Sequence, residues 1–524
     1  MKRFAAALLK ALRIGPAVNE NSISICDPEV VLTLPVDGQQ KMLLTRPSYR
    51  RNDNLVRKYL DEVNMQNALT QAIEILEHVG IIFESEAVRS YFKKRGARVE
   101  GDKVFIPRLL LEEALESTPK MDYCQHVQKK VVAANPFSNA PFILDDEIAA
   151  IRRCTIADAV KLYQVGETLP LYQSSNPGCA DPVDNDAPDE FIAQVAMALK
   201  YSAKYLSLGL RATGSNAKNG DVYGSARRAY RLVREFYDSW DEPVMTQSIC
   251  PNPPLAYDRE CLDNLCAAID EQQAISIVPC SLGYMTGPES IMGLVIHDFA
   301  MSLAGLVLIQ LKSPGHPTSF SGSSTIANIQ TLQPNYGSAE AVFIQVIFYE
   351  LCKTLKLPCA ISGSYGDGTA VDYQAGMEAL LTTMLPFSLT ELNQLWCFPG
   401  LMAGFACGSF QKAILDEETI NYANRMLQGV ELSVDPLLLE QLAAGRDAGS
   451  FLSIGSMVTY RRDNYMTKIF DKRGIAQANT TGSSDLAQQV EQVLEERIAA
   501  YQLPERSATQ RKLLQPYLPS SCRY

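Results

Sequence analysis

Residues 275–321 read ISIVPCSLGYMTGPESIMGLVIHDFAMSLAGLVLIQLKSPGHPTSFS. A short β-prone run, Ile275 to Cys280, leads through a loop rich in Gly and Pro into an apolar helix, Ile291 to Gln310. A second β-prone run, Thr318 to Ser321, follows Pro317. Strand, long helix and strand in one continuous stretch is the crossover unit that places its two strands side by side and parallel.

The same alternation extends in both directions. Leu171 to Ser175, Tyr205 to Leu210, Val244 to Ile249, Cys359 to Gly363, Pro386 to Leu392 and Leu401 to Phe405 read as further strands, eight in all. Helical periodicity falls between them at Asp189 to Lys200, Ala226 to Tyr237, Arg259 to Glu271, Ala339 to Leu355 and Asp372 to Met384. Eight such units over roughly 250 residues predict a TIM (β/α)8 barrel with helical extensions at both ends. A doubly wound open sheet is the alternative, weakened because no GxGxxG follows an early strand. The expected divisions are a poorly patterned segment over 1–60, a helical lead-in over 61–135, the barrel over 136–410, and a helical extension with a tail over 411–524.

In the lead-in, Leu69, Ile73, Leu76 and Val79 recur at helical spacing before Gly80, and a second helix starts at Ser85. Arg98 to Ile106 reads as a tight hairpin, with Pro107 opening a third helix. Extended pieces are expected around Val30 to Leu34 and Lys41 to Thr45, and Met1 to Arg13 as a short amphipathic helix or frayed end.

The chain has 524 residues and a formal net charge of -11, which argues against a nucleic-acid surface because phosphate binding needs clustered Lys and Arg. Thirteen cysteines without a CxxC pair fit free thiols in a reducing compartment, so a cytoplasmic location is expected. No uncharged stretch approaches the roughly 20 apolar residues of a membrane span. Four histidines without ligand spacing make a protein-bound metal unexpected. His78 suits helix capping and His297 suits packing, whereas His316, just before a strand, is a weaker candidate for a ligand contact. No GxSxG elbow or phosphate loop is present.

Barrel sites are assembled from the loops that follow the strands. Arg211 to Ser215, Ser281 to Glu289 and Ser364 to Thr369 are polar, contain Gly and follow candidate strands. Any one of them is explained equally well as turn chemistry.

An ordered series of segments resembles the trimethylamine methyltransferase (MttB-like) family. It comprises Ala72 to Ile81, Val104 to Pro107, Leu303 to Gln310, Pro314 to Pro317, Gly337 to Glu340, Leu357 to Cys359 and Asp372 to Glu378, across roughly residues 60 to 500. The resemblance implies a TIM barrel that takes a methylated amine in its mouth and meets a separate small corrinoid-binding protein there. The corrinoid is then the cofactor, supplied by that partner. The family's pyrrolysine position falls near Thr369, so the chain looks like a pyrrolysine-free relative, a group that includes demethylases of quaternary amines. Asp367 and Thr369 are the catalytic candidates in that loop.

A quaternary ammonium carbon already carries a neutral leaving amine, so transfer to a strong nucleophile needs chiefly orientation and desolvation. Holding such a cation calls for aromatic faces, each worth roughly 0.5 to 2 kcal/mol. Tyr284, Phe320, Tyr365 and Trp396 are the candidates, Tyr365 foremost for its Gly-rich loop; Ser364 precedes it. Relatives often carry an Arg where this chain has Gln330, which removes a charge that would pair with a betaine carboxylate. Either the carboxylate is met elsewhere, with Arg211 the candidate, or the substrate lacks one. The His-Thr pair often found between Phe451-Leu452 and Asp471 to Arg473 in such relatives is missing. Two other readings remain: a barrel that binds an amine or a corrinoid protein without turnover, and an aldolase-like enzyme, disfavoured because Lys312 and Lys356 lie near strand starts. The oligomeric state stays open.

Overall fold

The computed structural model describes residues 31–36, 40–45 and 62–524, apart from 124–128, 135, 138–139, 146–147, 149, 179, 210, 434–435 and 482–485. Met1 to Arg13 lies outside the described residues. The chain divides into Met1–Lys58 and Tyr59–Tyr524. In the first unit Val31–Val36 pairs antiparallel with Gln40–Thr45, close to the two extended pieces read from sequence.

The second unit holds the barrel. Its strands are β1 (Lys130–Ala134), β2 (Tyr172–Ser175), β3 (Tyr205–Leu208), β4 (Met245–Ile249), β5 (Ala274–Ile277), β6 (Thr318–Ser321), β7 (Cys359–Gly363) and β8 (Gln394–Cys397). They close in sequence order, β8 pairing with β1, and every neighbouring pair is parallel. Each strand is followed by one outer helix: α1 (Ile156–Glu167), α2 (Glu190–Tyr201), α3 (Val222–Tyr237), α4 (Arg259–Asp270), α5 (Ile291–Lys312), α6 (Ala339–Thr354), α7 (Tyr373–Leu389) and α8 (Phe410–Gln428). The TIM barrel expected from the alternation is therefore present.

Local sequence explains where these helices start. Thr155, Asp189, Asp221, Asp258, Ser290, Ser338, Asp372 and Ser409 stand at their N-caps, and each side chain accepts a backbone N–H three residues on. Such caps satisfy otherwise unpaired donors and contribute about 1 kcal/mol each.

Two expected strands are corrected. Pro386 to Leu392 is largely the last turn of α7, which runs through Pro386 to Leu389. Pro386 lacks the N–H that would bond the Thr382 carbonyl, and that carbonyl faces β7, where a Cβ on Gly363 would lie 2.5 Å from it. Leu401–Met402 is a two-residue strand outside the barrel, in a sheet with Cys407–Gly408, Phe142–Asp145 and Ala150–Arg153. The strands that close the barrel are instead the short runs β1 and β8. The barrel units thus span residues 130–428, beyond the expected 136–410 at both ends.

α5 is apolar on all sides because both sides are covered. The lead-in helices Glu62–Glu74 and Arg108–Ser117 pack on it from outside, and the Tyr257 hydroxyl donates to its Met301 carbonyl at 2.9 Å. By length and composition it is a helix able to cross a membrane, contrary to the reading from sequence, and 83% of its apolar window is buried in the protein. The lead-in hairpin Arg98–Glu100 and Lys103–Phe105 forms as expected.

Lys512 to Tyr524 is not a loose tail. Leu514, Leu518 and Cys522 are buried, the Lys200 ammonium donates to the Cys522 carbonyl at 2.7 Å, and Gln510 reaches the Phe236 carbonyl. The tail covers the ends of α2 and α3, on the side where the strands begin.

Candidate functional site

A typical (β/α)8 interior is filled by branched apolar side chains. Here the positions that point inward from β4, β5 and β6 are small. On β4, Met245, Gln247 and Ile249 are buried against the helices while Thr246 and Ser248 face the bore. On β5 and β6 the inward residues are Ser276, Ser319 and Ser321, with Ile275, Ile277 and Phe320 turned outward. Nine serine or threonine side chains line the resulting cavity of about 540 Å³, and none of its described lining residues is charged. That volume suits a small ligand.

Its aromatic surface comes from Tyr205 and Trp396 on the strands and from Tyr336, Phe398 and Phe405 on the loops after β6 and β8. Tyr336 meets Phe405 edge to face, 4.6 Å between centroids and 90° between planes. Tyr365 packs behind both, 6.0 Å from Tyr336 and 5.0 Å from Phe405. Burial pushes the Tyr336 phenol well above its ordinary range, so it stays neutral and keeps an electron-rich face. Aromatic walls without a cation of their own attract a positively charged ligand.

The family model for trimethylamine methyltransferase (MTTB) matches residues 38–520. The chain belongs to this family. As an MTTB family member it is a methyltransferase built on a (β/α)8 barrel. It is 31% identical over 479 residues to the proline betaine:corrinoid methyltransferase of Eubacterium limosum, covering 88% of this chain and 97% of that protein. It is 29% identical to the L-carnitine:corrinoid methyltransferase of the same organism, again covering 88% and 97%. Identity to the glycine betaine methyltransferase of Desulfitobacterium hafniense (strain Y51) is 24%, over 80% of this chain and 88% of that protein.

In this MTTB family barrel, Trp396 is the one aromatic chosen from sequence that lines the cavity. Tyr365, 2% exposed, stands in the second row, where its hydroxyl donates to the Ser362 carbonyl at 3.0 Å and accepts from Gln345. Ser364 is fully buried beside it, its N–H on the Thr382 hydroxyl at 3.1 Å. Three expected contacts are corrected. Phe320 faces the helices, because alternation gives the bore to Ser319 and Ser321. His316 sits at the start of β6, away from the loops that follow the strands, with Nε2 2.7 Å from the Gln273 carbonyl, so it ties strand starts together. Tyr284 is 65% exposed on the loop before α5 and lines no part of the cavity.

Thr369 and Gln330 are exposed on the loops after β7 and β6. Arg211 follows β3, with its guanidinium 3.8 Å from the Asp258 carboxylate. Asp367 lies outside the cavity lining and is occupied with backbone: it accepts the N–H groups of Tyr336 at 2.9 Å and Gly337 at 2.7 Å. Sequence reasoning missed Tyr336, Phe398 and Phe405, and it missed the serine-lined bore. The bore had a signal: serine or threonine at every second position of Thr246 to Ser248 and of Ser319 to Ser321, where a filled barrel would carry Val, Ile or Leu.

Proposed function

We propose that this protein transfers a methyl group from a quaternary amine to a corrinoid carried by a separate small protein. The observation that carries the reading is the uncharged cavity walled by Tyr336, Phe398, Phe405 and Trp396. Its volume of about 540 Å³ accommodates a trimethylammonium head, and its aromatic faces replace the water that such a head loses on entry. The two E. limosum relatives, named for proline betaine and L-carnitine with corrinoid, support both the donor class and the acceptor.

The corrinoid, when its partner brings it to the mouth, supplies a strongly nucleophilic reduced cobalt. The barrel's own residues do the rest. The aromatic rings orient the ammonium carbon, the closed wall excludes water, and the serine hydroxyls offer donors to the polar tail of the amine. The departing amine is neutral, so no general acid is needed at the transfer itself. The exposed Tyr373 and Met377 at the start of α7 give the rim an apolar face for that protein to cover.

Mixing the protein with cob(I)alamin and a panel of trimethylammonium compounds tests the reading, with methylcobalamin absorbance as readout. Methylation by at least one compound is expected. Binding of amines with no methyl transfer from any of them overturns it and leaves an amine-binding barrel.

A further inference from the structure

The turn 366–368 joins the loops that build the aromatic wall. Asp367 Oδ1 accepts the Tyr336 N–H and Oδ2 accepts the Gly337 N–H, so each carboxylate oxygen serves one donor of the loop after β6. The loop after β8 hangs on the same turn through backbone: Gly404 N–H donates to the Gly366 carbonyl at 3.2 Å and Ala403 N–H to that of Gly368 at 3.1 Å. Phe405 follows directly, with a φ of 72°.

From beneath, the turn is held by Glu378 on α7. Its Oε2 accepts the N–H groups of Asp367 at 2.7 Å and Gly368 at 3.3 Å, while Gln374 donates to its Oε1 at 2.8 Å. Glycines leave room for the Glu378 carboxyl group on both sides. A Cβ on Gly366 would lie 2.3 Å from Glu378, and one on Gly337 2.5 Å from it.

We infer that Asp367 is a positioning residue for ammonium recognition: it clamps the backbone of Tyr336 and Gly337 so that the Tyr336 ring meets Phe405 and closes one wall of the cavity. Positioning, not contact with the reacting atoms, is the role, because Asp367 lies outside the cavity lining and each of its oxygens accepts a backbone N–H. A carboxylate is the right group, since two acceptor oxygens face two donors and bonds to an ionised acceptor are the stronger kind. An amide in its place offers one acceptor and turns its own N–H against the second donor. The clamp stands on hydrogen bonds alone, and only the identity of the ligand rests on the proposed function.

The test combines hydrogen–deuterium exchange with calorimetry of tetramethylammonium binding in the full chain. In the unmodified protein, the Tyr336 and Gly337 amides are expected to be protected; rapid exchange overturns the clamp without any variant. Asp367→Asn is expected to release these amides and weaken tetramethylammonium binding about tenfold. Tyr336→Leu weakens it too, and Asp367→Asn adds nothing in the Tyr336→Leu background, because the first acts through the second. A further loss there of the same size overturns the inference, as does unchanged affinity in Asp367→Asn. Failure of the unmodified protein to bind tetramethylammonium, with its amides protected, overturns the ligand assignment and with it the proposed function.

Discussion

The edge of one ring meets the face of the other where Tyr336 and Phe405 touch, 4.6 Å apart in a wall assembled from two different loops. Phe405→Leu keeps apolar volume and removes the π face. Tetramethylammonium affinity is expected to fall roughly two- to thirtyfold, the range of one cation–π contact. Calorimetry reads it, and an unchanged affinity removes Phe405 from the site.

Ser276 and Ser319 are direct neighbours in the pairing of β5 with β6, both facing the bore. Replacing both with Val restores the branched filling of a packed barrel. Methyl transfer is expected to fall at least about tenfold, while the melting temperature holds or rises because apolar area gains cover, at about 25 cal/mol per Å². Retained transfer together with a lower melting temperature contradicts a functional bore.

Arg497, on the C-terminal helix Leu486–Ala500, lies 2.6 Å from the Glu417 carboxylate on α8, which also accepts the Tyr172 hydroxyl at 2.7 Å. Glu417 is 2% exposed, so Arg497→Leu strands a buried acid. Urea unfolding is expected to show a loss of about 3 kcal/mol, part of which returns in the double variant with Glu417→Gln. Equal loss in the single and double variants would mean that packing, not charge, accounts for the effect.

Burial pushes the His316 imidazole below its ordinary 6.5, against a smaller upward pull from the Gln273 carbonyl. The unfolded chain therefore binds the proton first as pH falls. The stability due to neutral His316 is full above the unfolded value and is lost as pH drops through the folded one. Melting temperature is expected to decline from about pH 7 to about pH 5, with a shallower slope in His316→Gln. Equal slopes in the two proteins contradict this.

Much of the fold was legible because local rules agree. The capping residues Asp189, Ser290 and Asp372 sit where helical periodicity begins, and the βαβ pattern around α5 fixes parallel pairing. β1 and β8 were not legible: Lys130–Ala134 is followed by two further short strands, Phe142–Asp145 and Ala150–Arg153, before its helix α1, and a strand read at Pro386 to Leu392 stood in the place of Gln394–Cys397. Pro386 read as a break, yet a helix tolerates it where a neighbouring glycine, Gly363, leaves room for the freed carbonyl. Within the site, Trp396 was found as an aromatic candidate, although the strand that carries it was not. Tyr336 and Phe405 were not, since each sits in an irregular loop and acquires meaning only beside the other.

The sequence by itself determined the order of strands and helices, the caps that start the helices, and kinship with the MTTB family, because these depend on neighbours along the chain. Only the tertiary structure decided which face of each strand is the bore. Period-two alternation defines two faces without saying which is inside; closure of β8 onto β1 gave that face to Ser319 and the helix-packed one to Phe320. Tertiary structure likewise gave Asp367, a catalytic candidate by sequence, its hydrogen-bond partners Tyr336 and Gly337. Its partners are backbone groups of a loop distant in sequence, and no local pattern encodes the backbone that a folded neighbour presents.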